Sequence, residues 1–283
     1  LLGSGSSSNT ELIYAIEKGE LFALKKPTGN IEENSKLIER EYQNYMKINH
    51  PFLPHFYGKT QINNYLIIEY INGETLSQIE KFKLSFDEKI TIIFEIMLVI
   101  HYFHENDFIY RDLKPNNVMI DMNKNIIIID FDRMVKYSDI QKDIQHTMDF
   151  QSVYISPEVN LGEISFKNDI YSIGQMIYYI INEKEPNEDT NIKIKSNEIY
   201  TKIIEMIYKK CTNEDPNQRP TIFELVFEFY YFFSQHIKKF IIKKFKEVQY
   251  YEGLLNFQSK YILLDVDKAI KYFTLLSDLN NLQ

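Results

Sequence analysis

The sequence predicts an α+β architecture of two lobes, a small β-rich one with one main helix and a larger α-helical one. Three observations predict it. Residues 1 to about 27 read as strands, and Tyr65 to Tyr70 gives a second strand signal. A single helical pattern, residues 32–48, lies between these regions, and from Ser85 onward helical periodicity takes over. The chain has 283 residues of which 44% are hydrophobic, enough to bury one large core or two smaller ones.

In chain order, Gly19 marks a turn in the first strand region, after which Leu21, Ala23 and Lys25 alternate with Phe22 and Leu24. Leu37, Glu41, Tyr45 and Ile48 form one stripe of the helix over 32–48, which Asn49-His50-Pro51 stops. A carboxylate on an apolar stripe is costly unless paired, so Glu41 calls for a cation. The strand over Tyr65 to Tyr70 ends in the Asn72-Gly73 turn signal, and another apolar strand lies between Asn117 and Asp130. Helices are expected over about 86–106, 168–182, 198–211 and 220–235. No internal repeat is visible within 1–235, which reads as one domain with lobes of about 1–70 and 73–235. Residues 236–283 read as a helical extension, with an amphipathic helix over 264–280. That helix either packs on the body or opens an array similar to tetratricopeptide repeats, which need several stacked copies.

Composition excludes several classes. A net charge of −8 and a pI near 5.4 argue against nucleic acid as the main partner. The single cysteine, Cys211, excludes an internal disulfide and suits a reducing, cytoplasmic compartment. The six histidines show no zinc-ligand spacing, and His101 and His104, on one helical face, read as structural. No apolar run reaches the ~18 residues of a membrane span, because Glu95 and Glu228 interrupt the longest ones. The basic, Phe/Ile-rich stretch from Lys238 to Lys246 either touches an anionic surface or packs its apolar side chains with the lysines in water. Because the sequence opens on Leu1 and a motif begins at once, a longer product is expected to precede it.

The chemistry concentrates in residues 110 to 132. Tyr-Arg-Asp-Leu-Lys-Pro-Asn-Asn runs from Tyr110 to Asn117, followed by an apolar strand and Asp130-Phe131-Asp132. Asp112, Lys114, Asn117 and Asp130 offer a carboxylate to orient a hydroxyl, a cation for a moving phosphate and two oxygen ligands for Mg²⁺. The spacing of Asp112 and Asn117 matches the protein-kinase catalytic loop H-R-D-x-x-x-x-N, with Tyr110 for the histidine, and Asp130-Phe131 resembles the start of D-F-G. The chain resembles a protein kinase, and lysine at 114 resembles the serine/threonine type.

The resemblance implies ATP and Mg²⁺ as ligands and proteins with Ser/Thr hydroxyls as substrates. Leu2-Gly3-Ser-Gly5-Ser-Ser-Ser8 is similar to the glycine-rich loop, Ser8 replacing its third glycine, so Gly3 and Gly5 would approach the phosphates. Ala23-Leu24-Lys25 resembles the end of V-A-I-K: Ala23 would meet adenine, and Lys25 would reach the phosphates and pair with Glu41. The His50-Pro51 pair also has its place in the family. The backbone at Glu69 and Ile71 would bind adenine, with Ile68 as gatekeeper, Thr75 at the ribose and Met119 as the adenine floor. Asp112 would take the substrate proton, Lys114 would neutralise the γ-phosphate, and Asn117 and Asp130 would hold Mg²⁺. Ser156-Pro157-Glu158 resembles A-P-E, Arg219 its partner, and Asp169 the aspartate that braces the catalytic loop. Tyr45, Phe56, Tyr110 and Phe131 match the family's stacked apolar column through both lobes.

Four positions depart from the pattern: Ser8, Thr10 at the adenine-facing site, Asp132 for the glycine of D-F-G, and Gln151 where a threonine usually contacts the catalytic residues. They carry an alternative expectation, a pseudokinase serving as an ATP-binding or partner-binding scaffold. Arg111 before Asp112 implies an activation segment ordered by phosphate. Tyr137, Ser138, Thr147 and Ser152 are the candidate acceptors for it, and Asp143 or Asp149 is the alternative source of a constitutive negative charge.

Overall fold

A computed structural model describes residues 2–4, 8–17, 19–29, 31–140, 152–187 and 198–245; the side chains of 4, 31, 32, 234, 235 and 237–245 lie outside the description. The first lobe is an antiparallel sheet of β1 (Gly3–Ser4), β2 (Ser8–Ala15), β3 (Glu20–Pro27), β4 (Phe56–Lys59) and β5 (Leu66–Glu69), in the order β1-β2-β3-β5-β4. Gly19, with φ 68°, supplies the left-handed backbone that turns β2 into β3. One helix, α1 (Ile31–Tyr45), packs on β3.

The helix expected over 32–48 ends at Tyr45. Met46 and Lys47 form a turn, the Lys47 N–H donating to the Asn44 carbonyl at 2.9 Å, because Pro51 and the polar Asn49-His50 that precede it do not continue a helix. Ile48 still reaches the core.

The second lobe is built on α2 (Phe86–Glu105), α3 (Phe166–Asn182), α4 (Glu198–Cys211) and α5 (Ile222–Phe245). Reciprocal side-chain caps start three of them: Ser85 with Glu88, Ser165 with Asn168, and Thr221 with Glu224. Most of α2 is buried, and it packs against α3 and α5, where Phe94 and Phe229 stack with centroids 6.3 Å apart. Gly174 lets α3 and α4 meet closely, since a Cβ there would lie 2.8 Å from that of Cys211. The last helix runs past residue 235 without a break, because no Gly or Pro interrupts 222–245. Among the described residues no helix is long and apolar enough to cross a membrane.

Between the lobes, β6 (Gly73–Thr75), β8 (Val118–Asp121) and β9 (Ile126–Ile128) form a small sheet, and β7 (Phe108–Ile109) pairs with β10 (Val135–Lys136). Two differences from the sequence reading arise here. Gly73 is not only a turn residue but opens β6, where its missing side chain admits β8; a Cβ would stand 2.1 Å from the Ile120 carbonyl oxygen. The single apolar strand after Asn117 is two strands, folded back at Asp121, whose carboxylate accepts the N–H groups of Asn123 and Asn125 at 2.9 and 2.7 Å. The amphipathic helix over 264–280 and Lys246 of the basic stretch lie outside the described residues.

Candidate active site

The pairing of β7 with β10 brings the loop 110–117 beside residues 130–134. The loop's backbone is held from below by Asp169 of α3. Its carboxylate, fully buried, accepts the Tyr110 N–H at 2.9 Å and the Arg111 N–H at 2.8 Å. His104 Nε2 lies 2.9 Å from the same carboxylate, so the histidine read only as structural orients this brace. These bonds hold Arg111 in a left-handed conformation, φ 71°, which is unfavourable for a residue with a side chain.

At the top of the loop Asp112 meets its neighbours. Lys114 Nζ lies 2.9 Å from both carboxylate oxygens. Asn117 Nδ2 donates to Asp112 Oδ2 at 2.7 Å and to its backbone carbonyl at 2.9 Å. With both amide hydrogens used, the Asn117 amide oxygen is the atom left for a cation. Burial pushes the Asp112 carboxyl above its usual value, with Lys114 and Arg133 opposing the shift. The Asn117 carbonyl accepts the Ile129 N–H at 3.0 Å, which seats Asp130 next to this group.

Lys25 joins the two lobes. Its Nζ lies 2.7 Å from Glu41 Oε2 on α1 and 2.9 Å from Asp130 Oδ1. Burial opposes the lysine's charge, but Asp130, Glu41 and Asp132 hold it ionised well above the usual range. Asp130 is held low: burial works against its charge, and the nearby Lys25 ammonium outweighs it. The other two carboxyls shift the opposite way. Burial pushes Glu41 up to about 7, and burial with the neighbouring Asp130 pushes Asp132 up to about 6. Glu41, Asp130 and Asp132 gather around Lys25, with Lys114 acting on Asp130 and Arg133 on Asp132 from farther off, and the remaining excess of carboxylates favours a further cation. Among the described residues no three His, Cys, Asp or Glu side chains form a metal cluster. The oxygen donors of Asp130 and Asn117 fit a hard divalent ion that takes its remaining ligands from phosphate and water.

The aromatic column is continuous. Tyr45 stacks on Phe56 at 5.1 Å and meets Phe131 edge-on at 5.0 Å, and Phe131 meets Tyr110 at 6.1 Å. Tyr110 Oη donates to the Ile129 carbonyl at 2.6 Å. An unforeseen residue stands beside the column: Asn44 Nδ2 donates to the carbonyls of Phe131 and Met134 at 2.8 and 2.9 Å. The sequence signal for it was an amide three residues after Glu41, on the buried side of the helix.

The residues expected to face a nucleotide sit mostly on strands of the two sheets. In the β2–β3 register Thr10 faces Lys25 and Leu12 faces Ala23, so all four share one side of the sheet. Gly3 lies opposite Thr10 on β1, and Gly5 lies outside the described residues. Glu69 ends β5 opposite Phe22, its carboxylate accepting the His55 N–H at 2.9 Å, and Ile71 follows in the connection to β6. Thr75 and Met119 are direct cross-strand partners. Asp132 has no left-handed φ, unlike Asp130 at 69°, so a side chain at 132 is accommodated without backbone strain.

Farther along, Arg219 Nη1 and Nη2 bind the Glu158 carboxylate at 2.6 and 2.9 Å, and Asn168 Nδ2 adds a bond to Glu158 at 2.7 Å and one to Ser156 at 2.8 Å. Tyr137 is half exposed and stacks on Phe166 at 4.7 Å, while Ser152 accepts the Tyr154 N–H at 3.4 Å. Asp143, Thr147, Asp149 and Gln151 lie outside the described residues.

Comparison with known proteins places this geometry. Residues 1–250 match the protein kinase domain family model. The chain is 30% identical over 222 residues to a probable serine/threonine-protein kinase of Dictyostelium discoideum, covering 72% of this chain and 53% of that relative. It is 30% identical over 198 residues to cAMP-dependent protein kinase type 3 of Saccharomyces cerevisiae, covering 67% and 49%. It is 31% identical over 215 residues to CBL-interacting protein kinase 21 of Oryza sativa subsp. japonica, covering 72% and 40%. The chain thus spans about half or less of these relatives' length. Family membership brings with it ATP and a divalent metal. The chain belongs to the protein kinase family, with relatives among the serine/threonine kinases.

Proposed function

We propose that this chain is a catalytically active serine/threonine kinase that transfers the γ-phosphoryl group of Mg²⁺-ATP to protein hydroxyls. What carries the reading is Lys25, shared between Glu41 and Asp130 at 2.7 and 2.9 Å, above an Asp112 already set by Lys114 and Asn117. A scaffold has no need of that registration. The kinase domain would occupy 1–235 and a helical extension 236–283, in the cytoplasm.

Each residue has a role in the exchange. Gly3, Gly5 and Lys25 bind the phosphates, while Ala23, Met119 and the backbone of Glu69 and Ile71 enclose adenine, and Thr75 meets the ribose. Asp112 orients the substrate hydroxyl and accepts its proton as the oxygen bonds to the γ-phosphorus and the bond to ADP breaks. Lys114 neutralises charge on the transferred group. Asn117 and Asp130 would hold Mg²⁺, which when bound draws the phosphate oxygens together and offsets their charge.

The second reading, a pseudokinase scaffold, draws on Asp132, Ser8 and Thr10. One assay separates the two: phosphate transfer from labelled Mg²⁺-ATP to a generic basic protein, for wild type and Asp112→Asn. Transfer lost in the variant supports the enzyme, and phosphoamino-acid analysis checks Ser/Thr. Folded wild-type protein that binds ATP but transfers nothing sinks it.

A further inference from the structure

We propose that Asn44 is a positioning residue: together with Glu41 it clamps the turn that presents Asp130, so that α1 and the metal-binding turn move as one body. The proposal rests on the phosphotransfer reading only for its effect on turnover; the clamp itself is a statement about the chain's own packing.

The geometry is two-sided. Glu41 Oε1 accepts the Phe131 N–H at 3.3 Å, and one helical turn later Asn44 Nδ2 donates to the Phe131 carbonyl at 2.8 Å. Asn44 therefore takes one face of the peptide unit that follows Phe131 while Glu41 takes the one that precedes it. The second Asn44 bond, 2.9 Å to the Met134 carbonyl, closes the far end of the same turn, which the Met134 N–H also spans to the Phe131 carbonyl at 3.3 Å. Asn44 is only 5% exposed, so water does not replace these bonds when they break.

The turn needs holding. Asp130 is left-handed at φ 69°, a conformation that a non-glycine residue keeps only when its surroundings impose it. Asp132, where the family has glycine, stands 5% exposed in the same turn and is pressed by Asp130. A primary amide has two N–H groups on one nitrogen, which suits two carbonyls and no other side chain of that size. Glu41 alone could release Phe131 whenever Lys25 shifts; Asn44 makes release of the turn require the helix to leave as well.

The test uses the full chain with Asn44→Leu, which keeps the branched outline with some added bulk and removes both donors. In ligand-free protein, hydrogen exchange at the Phe131 and Met134 amides should speed up at least about tenfold, with no change around Glu158 and Arg219. In the active enzyme the Mg²⁺ midpoint for transfer at saturating ATP should rise about 10–100-fold, with the KM for protein substrate kept. Wild-type exchange at 131 and 134 in the variant overturns the proposal, as does faster exchange with an unmoved Mg²⁺ midpoint, the mark of a merely structural contact. Should the leucine variant not fold, Asn44→Ser, too short to reach both carbonyls, carries the same expectations. If wild type transfers no phosphate, the functional reading fails and the exchange measurement alone decides the clamp.

Discussion

Two buried ion clusters sit in this molecule and are built on opposite principles. Around Arg219, one guanidinium meets one carboxylate, Glu158, through two short bonds, and Asn168 adds a third bond to Oε1. Burial opposes the charge on Glu158, but the Arg219 bonds win and hold its carboxyl below the usual range. Around Lys25, one ammonium faces Glu41, Asp130 and Asp132, and burial leaves Glu41 near 7 and Asp132 near 6. The first cluster is complete in itself and fixes the lower lobe. The second is short of positive charge, a shortage that a bound divalent cation would relieve.

The largest effect expected on the charge-poor side is catalytic. Asp112→Asn keeps the shape of the loop and should lower turnover by about 10²–10⁴-fold with the melting temperature kept; retained turnover would remove Asp112 from its role. On the balanced side the effect is structural: Arg219→Ala leaves Glu158 buried without its partner and should cost about 3–5 kcal/mol in urea unfolding. A loss under 1 kcal/mol there would erase the distinction between the clusters.

The pH dependence separates them further. Asp132 is raised in the folded state from 3.8 to about 6, so the fold binds the extra proton in that window. Its contribution is therefore present below the unfolded value and lost as pH rises through about 6. Asp132→Asn should flatten this decline and raise stability at pH 8 by up to about 3 kcal/mol. Denaturation at pH 5 and pH 8 checks it, and parallel profiles for the two proteins would contradict the crowded-carboxylate picture. Glu158, lowered in the fold, has the opposite sign: its contribution is lost as pH falls through its folded value. The smallest effect belongs to a surface pair of similar geometry. Lys26 and Glu11 approach within 2.5 Å across β2 and β3 yet are partly solvated, and Lys26→Ala should cost less than about 1 kcal/mol.

The side chains that the structure gathers at the candidate site were legible because their spacing is local. Asp112, Lys114 and Asn117 fall within one loop, and Lys25 is marked by strand alternation beside Ala23. The long helices were legible for a similar reason, their periodicity and caps being written in adjacent turns. Strands β4 and β6 were not. They are four and three residues long, and β6 exists because Gly73 admits β8, a contact with a segment more than forty residues away. His104 likewise looked like packing until α3 delivered Asp169 to it, and Asn44 looked like any polar helix residue until the Phe131 turn arrived beneath it.

The sequence by itself determined which side chains are candidates for the site, their order and the partner that Glu41 needs, because a carboxylate on an apolar stripe and a loop of fixed spacing are marked locally. Only the tertiary structure decided how these charges balance. Whether Glu41 and Asp132 keep their protons depends on how deeply they are buried and on how many carboxylates share one lysine, and both are properties of segments brought together from about a hundred residues apart.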